Sequence, residues 1–164
     1  MTGRLSKRQH AVNTVRTPAG DALSRLVVHV FRLDGALTAN GDALARPAGQ
    51  TTARWRVLAA VQGGPMTVAQ IARAWSLARQ SVQRIADALE QDGLVAYRTN
   101  PDHRRAKLVS LTPRGVNALD RIQEAQRVWA NELGAEIGAK DLDAAIEVLA
   151  RLLEAITEGR GNVR

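Results

Sequence analysis

Apolar residues recur at helical spacing from Asp21 to about Ala39, at Leu23, Leu26, Val27, Val30, Phe31, Leu33 and Leu37. The stripe is wide and predicts an amphipathic helix. Asn40-Gly41-Asp42 reads as its stop, and residues 42–50, with Pro47 and Gly49, read as a loop. Thr51 or Thr52 then caps a helix through Val61, with Trp55, Leu58 and Val61 on one face. Gly63-Gly64-Pro65 breaks it. Thr67 caps a short helix from Val68 to about Ala74, with Val68, Ile71, Ala72 and Trp75 inward. After a tight turn at Trp75-Ser76-Leu77, a second helix is predicted from about Ala78 to Gln91. Its inward residues are Val82, Ile85, Ala86 and Leu89. Asp92-Gly93 ends it, because glycine adopts the left-handed cap most easily.

The period then changes. Leu94–Arg98 and Ala106–Leu111 are two strand-like runs around Thr99-Asn100-Pro101-Asp102-His103-Arg104-Arg105, which is rich in turn formers and positive charge. This predicts a β-hairpin with a basic tip. Thr112 caps the next helix, Pro113 suits its first position, and Gly138 closes it after Ile137. Its apolar side carries Val116, Leu119, Ile122, Val128, Trp129 and Leu133. A last helix is predicted over about Asp141 to Glu158, where Leu142, Ala145, Leu149, Leu152 and Ile156 form a stripe widened by Ile146 and Leu153.

Composition and charge narrow the function classes. With 45% apolar residues and only 3% aromatic, the core must be built from Leu, Val, Ile and Ala, a helix-favouring set. The absence of cysteine excludes disulfides and thiolate chemistry, and three scattered histidines do not suggest a metal site. No apolar run approaches the roughly 20 residues that span a bilayer, and residues 1–18 have no apolar secretory core. A cytoplasmic location, no membrane partner and no cofactor are expected. The net charge of +7 is uneven: residues 66–116 carry eight basic and four acidic side chains, while residues 117–164 carry six and nine. On charge alone, a polyanion-binding module and an unevenly charged solvated surface are equally served. Residues 1–18, with Arg4, Lys7, Arg8 and Arg16, read as a flexible basic arm or as an inert tail.

Helix, tight turn, helix and basic hairpin together form a recipe for reading duplex DNA. The second helix fits the major groove, and its outward face near the N-terminus is Arg79, Gln80, Gln83 and Arg84, with Ser81 nearby. Arginine pairs bidentately with guanine and glutamine with adenine. In isolation that face would be a solvated one. The adjacent hairpin tip, with Arg104, Arg105 and Lys107, reverses the balance, since arginine is drawn into a narrow minor groove. Asp102 is placed to hold one arginine by a local ion pair or to form the turn. No Ser/His/Asp set, metal cluster or phosphate loop is present, so an enzyme is not expected.

Residues 66–115 resemble the MarR family of winged helix-turn-helix regulators. The resemblance rests on Thr67-Val68-Ala69-Gln70-Ile71-Ala72, Ala78-Arg79-Gln80-Ser81-Val82-Gln83-Arg84, Leu89-Glu90-Gln91-Asp92-Gly93-Leu94-Val95, Asn100–Lys107 and Leu111-Thr112-Pro113-Arg114-Gly115. Two departures stand out. Ser76 occupies a turn position that often holds glycine, and His103 stands where the wing often has aspartate. The resemblance implies a mainly α fold, with a small β-hairpin wing and a helical dimerisation region from both termini. It implies a homodimeric transcriptional regulator on a pseudo-palindromic operator, usually a repressor released by a small aromatic ligand. The ligand site maps to Arg25, His29 and Arg32 on the first helix and Trp55 and Arg56 on the second. The organisation expected is an arm over 1–18, a dimerisation helix and loop over 19–50, a DNA-binding lobe over 51–115 and dimerisation helices over 116–164. The competing class is a winged-helix protein-docking module without ligand control.

Overall fold

The structure, a computed structural model, describes residues 15–103 and 105–159. Two compact units divide the chain, one up to Ala39 and one from Asn40 onward. The first helix, α1, spans Pro18–Ala45 and so runs past Asn40-Gly41-Asp42, the stop expected from sequence. Gly41 serves as a contact rather than a terminator. It is buried, and a Cβ there would lie 2.5 Å from Thr52 Oγ1. The Asp42 carboxylate accepts the Thr52 backbone N–H at 2.7 Å, which holds its pKa below the usual carboxylate range. The expected loop over 42–50 shrinks to a 3-10 turn, Arg46–Ala48, closed by Gly49 in the left-handed conformation (φ 71°). Within the first unit, Leu23, Val28, Phe31, Leu33 and Leu37 are exposed, Phe31 at 73%.

In the second unit, side-chain caps set the helix starts. Thr51 accepts the Arg54 N–H at the start of α2 (Thr52–Ala60). Thr67 and Gln70 form a reciprocal capping box at α3 (Val68–Ala74). Thr112 accepts the Gly115 N–H at α5 (Pro113–Ile137), whose first position is proline. Between them lie α4 (Arg79–Gln91), β2 (Val95–Arg98) and β3 (Leu108–Leu111). A two-residue strand, β1 (Met66–Thr67), pairs with β3, so the expected hairpin is a three-stranded antiparallel sheet in the order β1-β3-β2. The last helix, α6, spans Ala139–Gly159.

The core joins Val57, Leu58 and Val61 of the α2 region to Ile71 and Ala72 of α3. Val82, Ala86 and Leu89 of α4 close it against Val95, Val109 and Leu119. This arrangement fixes α4 by its inner face and leaves its opposite face free. Trp75, expected inward, is instead 43% exposed at the end of α3. The Trp75-Ser76-Leu77 turn requires Ser76 at φ 52°, a left-handed conformation that turns the chain before α4. The Arg56 guanidinium sits 5.9 Å from the outward-turned Trp75 ring centroid. A salt bridge from Arg54 to Asp92 at 2.5 Å ties α2 to the end of α4. On α5, Leu119 and Ile122 are buried, whereas Val116, Val128 and Leu133, expected on its apolar side, are exposed. No residue of α6 is buried; Ile146 and Leu153 are each 62% exposed. Among the described residues, no helix is long and apolar enough to cross a membrane.

Candidate nucleic-acid interface

Burial of Val82, Ala86 and Leu89 rotates α4 so that Arg79, Gln80 and Arg84 are exposed, with Ser81 and Gln83 half-buried beside them. The helix is preceded by Ala78, which supplies no side-chain cap to its first N–H groups. On the wing, Arg105 and Lys107 are exposed, while Arg104 lies outside the described residues. Helix α4 and the hairpin are brought together. A cavity of about 380 Å³ between them is lined by Arg79, Gln83, Asp87, Glu90, Tyr97, Arg105 and Lys107 among others. Four of the side chains singled out from sequence therefore share one concavity. The wing turn is built by Asn100, which is buried and accepts the Asp102 N–H at 3.0 Å. His103 and Asp102 are both exposed.

Tyr97 is the residue that sequence reasoning missed. It is the chain's single tyrosine and stands on β2 facing α4. Its hydroxyl donates to Asp87 Oδ1 at 2.7 Å and accepts from Gln83 Nε2 at 2.8 Å. Gln83 Nε2 also donates to Asp87 Oδ1 at 2.8 Å. The Tyr97 N–H donates to Glu90 Oε1 at 3.4 Å, and Lys107 Nζ lies 5.8 Å from the ring centroid. Burial, reinforced by the Asp87 hydrogen bond, pushes the Tyr97 pKa far up, so the phenol keeps its proton. No periodicity signals a contact between residues 83, 87 and 97. It exists because the strand returns beside the helix.

The residues mapped to a ligand site are placed as follows. Arg25, His29 and Arg32 are exposed on α1, and His29 Nδ1 pairs with the Arg25 carbonyl at 2.8 Å. Arg25 and His29 line a shallow cavity of about 300 Å³ with Arg16 and Asp21. Trp55 and Arg56 are half-buried on α2, and Trp55 packs on the core. No group of three or more His, Cys, Asp or Glu among the described residues could hold a metal ion.

Comparison with known proteins identifies the family. Residues 48–106 match the model of the MarR family. An uncharacterized protein of Mycobacterium tuberculosis (strain ATCC 25618 / H37Rv) is 39% identical over 140 residues, covering 85% of this chain and 98% of the relative. Among solved structures, the MarR family transcription regulator SP03579 superposes with a TM-score of 0.76 at 23% identity, over 88% of this chain and 97% of that one. The transcriptional repressor CouR, bound to a 23-mer DNA duplex, superposes with a TM-score of 0.72 at 23% identity, over 85% and 99%. On these likenesses the chain belongs to the MarR family of winged-helix, DNA-binding transcription regulators.

Proposed function

We propose that two copies of this chain bind one pseudo-palindromic duplex site and repress transcription from it. In this reading α4 enters the major groove, with Arg79, Gln80, Ser81, Gln83 and Arg84 facing bases and phosphates. The wing, with Arg104, Arg105 and Lys107, lies along the adjacent minor groove. The observation that carries the reading is the shared concavity. Arg79 from the helix and Arg105 and Lys107 from the wing converge on one surface, where they outnumber the carboxylates of Asp87 and Glu90.

Dimerisation is supported by the apolar side chains that this chain leaves in solvent. Ile146, Leu149, Leu153 and Ile156 of α6 and Phe31 of α1 are each at least 40% exposed. An apolar stripe of that length is covered in a stable protein. A second copy, packing the terminal helices of both chains together, covers it and spaces two α4 helices for successive major grooves. The segments 19–50 and 116–164 then serve assembly and 51–115 serves DNA. Residues 1–18 add a basic arm, of which 1–14 lie outside the described residues.

Release from DNA is assigned to a small aromatic acid bound through Arg25, His29 and Arg32 or through Trp55 and Arg56. Arginine and a half-buried indole are groups that suit an aromatic carboxylate. A panel of aromatic acids that leaves thermal melting and DNA affinity unchanged overturns this part.

The main test is selection from random duplex DNA with the purified protein, followed by binding to the selected site across a salt series and sedimentation. Enrichment of an inverted repeat, affinity that falls with salt and a dimer at micromolar concentration are expected. A folded protein that enriches no sequence instead favours the protein-docking reading, and a stable monomer overturns the dimer.

A further inference from the structure

The tip of the hairpin is carried on two strands, and the two are held in different ways. β3 lies in the middle of the sheet, where β1 pairs with it through Met66 opposite Val109 and Thr67 opposite Leu108. β2 is an edge strand, and its other side meets α4. At its start Val95 is buried in the core, but nearer the tip the attachment is polar and runs through Tyr97. The Tyr97 hydroxyl donates to Asp87 Oδ1 at 2.7 Å, a charge-assisted hydrogen bond in a part-buried setting. Gln83 Nε2 lies 2.8 Å from each of those two oxygens. The Tyr97 N–H donates to Glu90 Oε1 at a longer 3.4 Å. Tyr97 stands opposite Val109, and the pair after it, Arg98 with Leu108, is the last of the ladder before the tip. Lys107, the residue before β3, brings Nζ to 5.8 Å from the Tyr97 ring centroid.

We propose that Tyr97 is a positioning residue for DNA binding, fastening the edge strand of the hairpin to α4 so that the wing cations are held where DNA seated on α4 meets them. Arg105 and Lys107 are exposed and lie beyond the last ladder pair, so the ladder itself does not fix them. A tip that is loose in the free protein must be ordered on binding, and that entropy is subtracted from the affinity. A fastened tip has already lost it on folding. Tyr97 has the chemistry for the task. Burial and the Asp87 hydrogen bond keep the phenol proton in place, so the donor persists at neutral pH. Its role differs from that of Arg105 or Lys107, because it acts through the hairpin and adds no charge. This inference rests on the proposal that α4 and the wing occupy adjacent grooves.

The experiment is a double-mutant cycle on the DNA site selected by the wild-type protein, at a salt concentration where every variant binds measurably. Y97F removes the hydroxyl and keeps the ring. With the native wing it is expected to weaken binding about three- to tenfold. In an R104A/R105A/K107A background, where the wing has no cations left to position, the same substitution is expected to cost less than about twofold. Hydroxyl-radical footprinting of Y97F is expected to lose the minor-groove protection that the wing gives, while the preference at the base pair that depends on Arg84 is kept. A general loss of folding would instead lower binding equally in both backgrounds, and that result overturns the inference. So does an unchanged affinity of Y97F with the native wing. D87A breaks the same tie from α4 and leaves Tyr97 in place, so it serves if Y97F fails to fold. It also removes a carboxylate from the concavity, a change that by itself favours DNA, so the difference between the two backgrounds is read. D87A is expected to be the more damaging with the native wing, and the opposite order overturns the inference. Failure of the wild type to enrich any sequence is a different outcome, and it overturns the DNA reading itself.

Discussion

Replacing Gly115 with alanine sets local propensity against packing. Gly115 sits in the first turn of α5 at an ordinary helical position, so helix propensity alone makes alanine better by up to about 1 kcal/mol. The surroundings reverse the sign. A Cβ on Gly115 would overlap the carbonyl oxygen of Leu94 and approach its carbon to 3.0 Å and Leu111 Cδ2 to 3.2 Å. That carbonyl already accepts the Thr112 N–H at 3.1 Å, while the Thr112 hydroxyl donates chiefly to the neighbouring Gly93 carbonyl at 2.7 Å. The backbone must therefore move, and overpacking of this kind costs about 1–3 kcal/mol. The hydrogen bond lost as the carbonyl turns aside adds about 1 kcal/mol. The net expectation is a destabilisation of roughly 1–3 kcal/mol after the propensity gain is subtracted. Urea unfolding at one fixed protein concentration reads it as a lower midpoint, the concentration being held because a dimer is stabilised by mass action. Gly41→Ala is expected to cost less, because its obstacle is a side-chain hydroxyl, Thr52 Oγ1 at 2.5 Å, which has more room to turn. A G115A midpoint equal to or above that of wild type refutes the close approach of α5 to β2.

Three further outcomes are expected. Thr67→Ala removes the capping box in front of α3 and costs about 1 kcal/mol in urea unfolding, with no change in the denaturant slope. Asp42 has its pKa lowered in the folded chain, so its ionised form contributes stability above the unfolded value near about 4, and this contribution is lost as pH falls through the folded value. The stability gap between wild type and D42N, measured by urea midpoints, is therefore present at neutral pH and closes in strong acid. Arg84→Ala is expected to relax sequence preference at one position at a cost of about 1–3 kcal/mol. Arg105→Ala weakens binding evenly across sequences and lowers the salt slope by about 1, both read by titrating the selected site and its single-base variants.

Where the sequence is readable, the cause of the structure is local. Thr51, Thr67 and Thr112 start their helices through hydrogen bonds to residues three further on, and nothing beyond that spacing is needed to find them. Gly93 and Gly138 close α4 and α5 with positive φ for the same reason. The facing of α4 is legible because its apolar period is unambiguous, and that period alone turns Arg79, Gln80 and Arg84 outward. The misreadings have non-local causes. Gly41 has the identity of a helix stop, but it is small because Thr52 must pass beside it, eleven residues away in sequence. The strand Met66–Thr67 is two residues long and exists only through pairing with Val109 and Leu108, so no alternation marks it. Trp75 is apolar and in phase with α3, yet the left-handed Ser76 that follows ends the helix and leaves the indole in solvent.

Gln83 shows what such non-local contacts do to a functional assignment. Residue type alone suggests a free amide on the outer side of α4. The fold instead holds its amide nitrogen between a tyrosine fourteen residues later and an aspartate one turn later. A recognition surface is therefore specified by more than the side chains that face the ligand. The neighbours that occupy their donors and acceptors decide which base edge the surface can accept. In this chain those neighbours come from β2 as well as from α4, so a substitution at Tyr97 removes a partner of Gln83 without changing any residue expected to touch DNA.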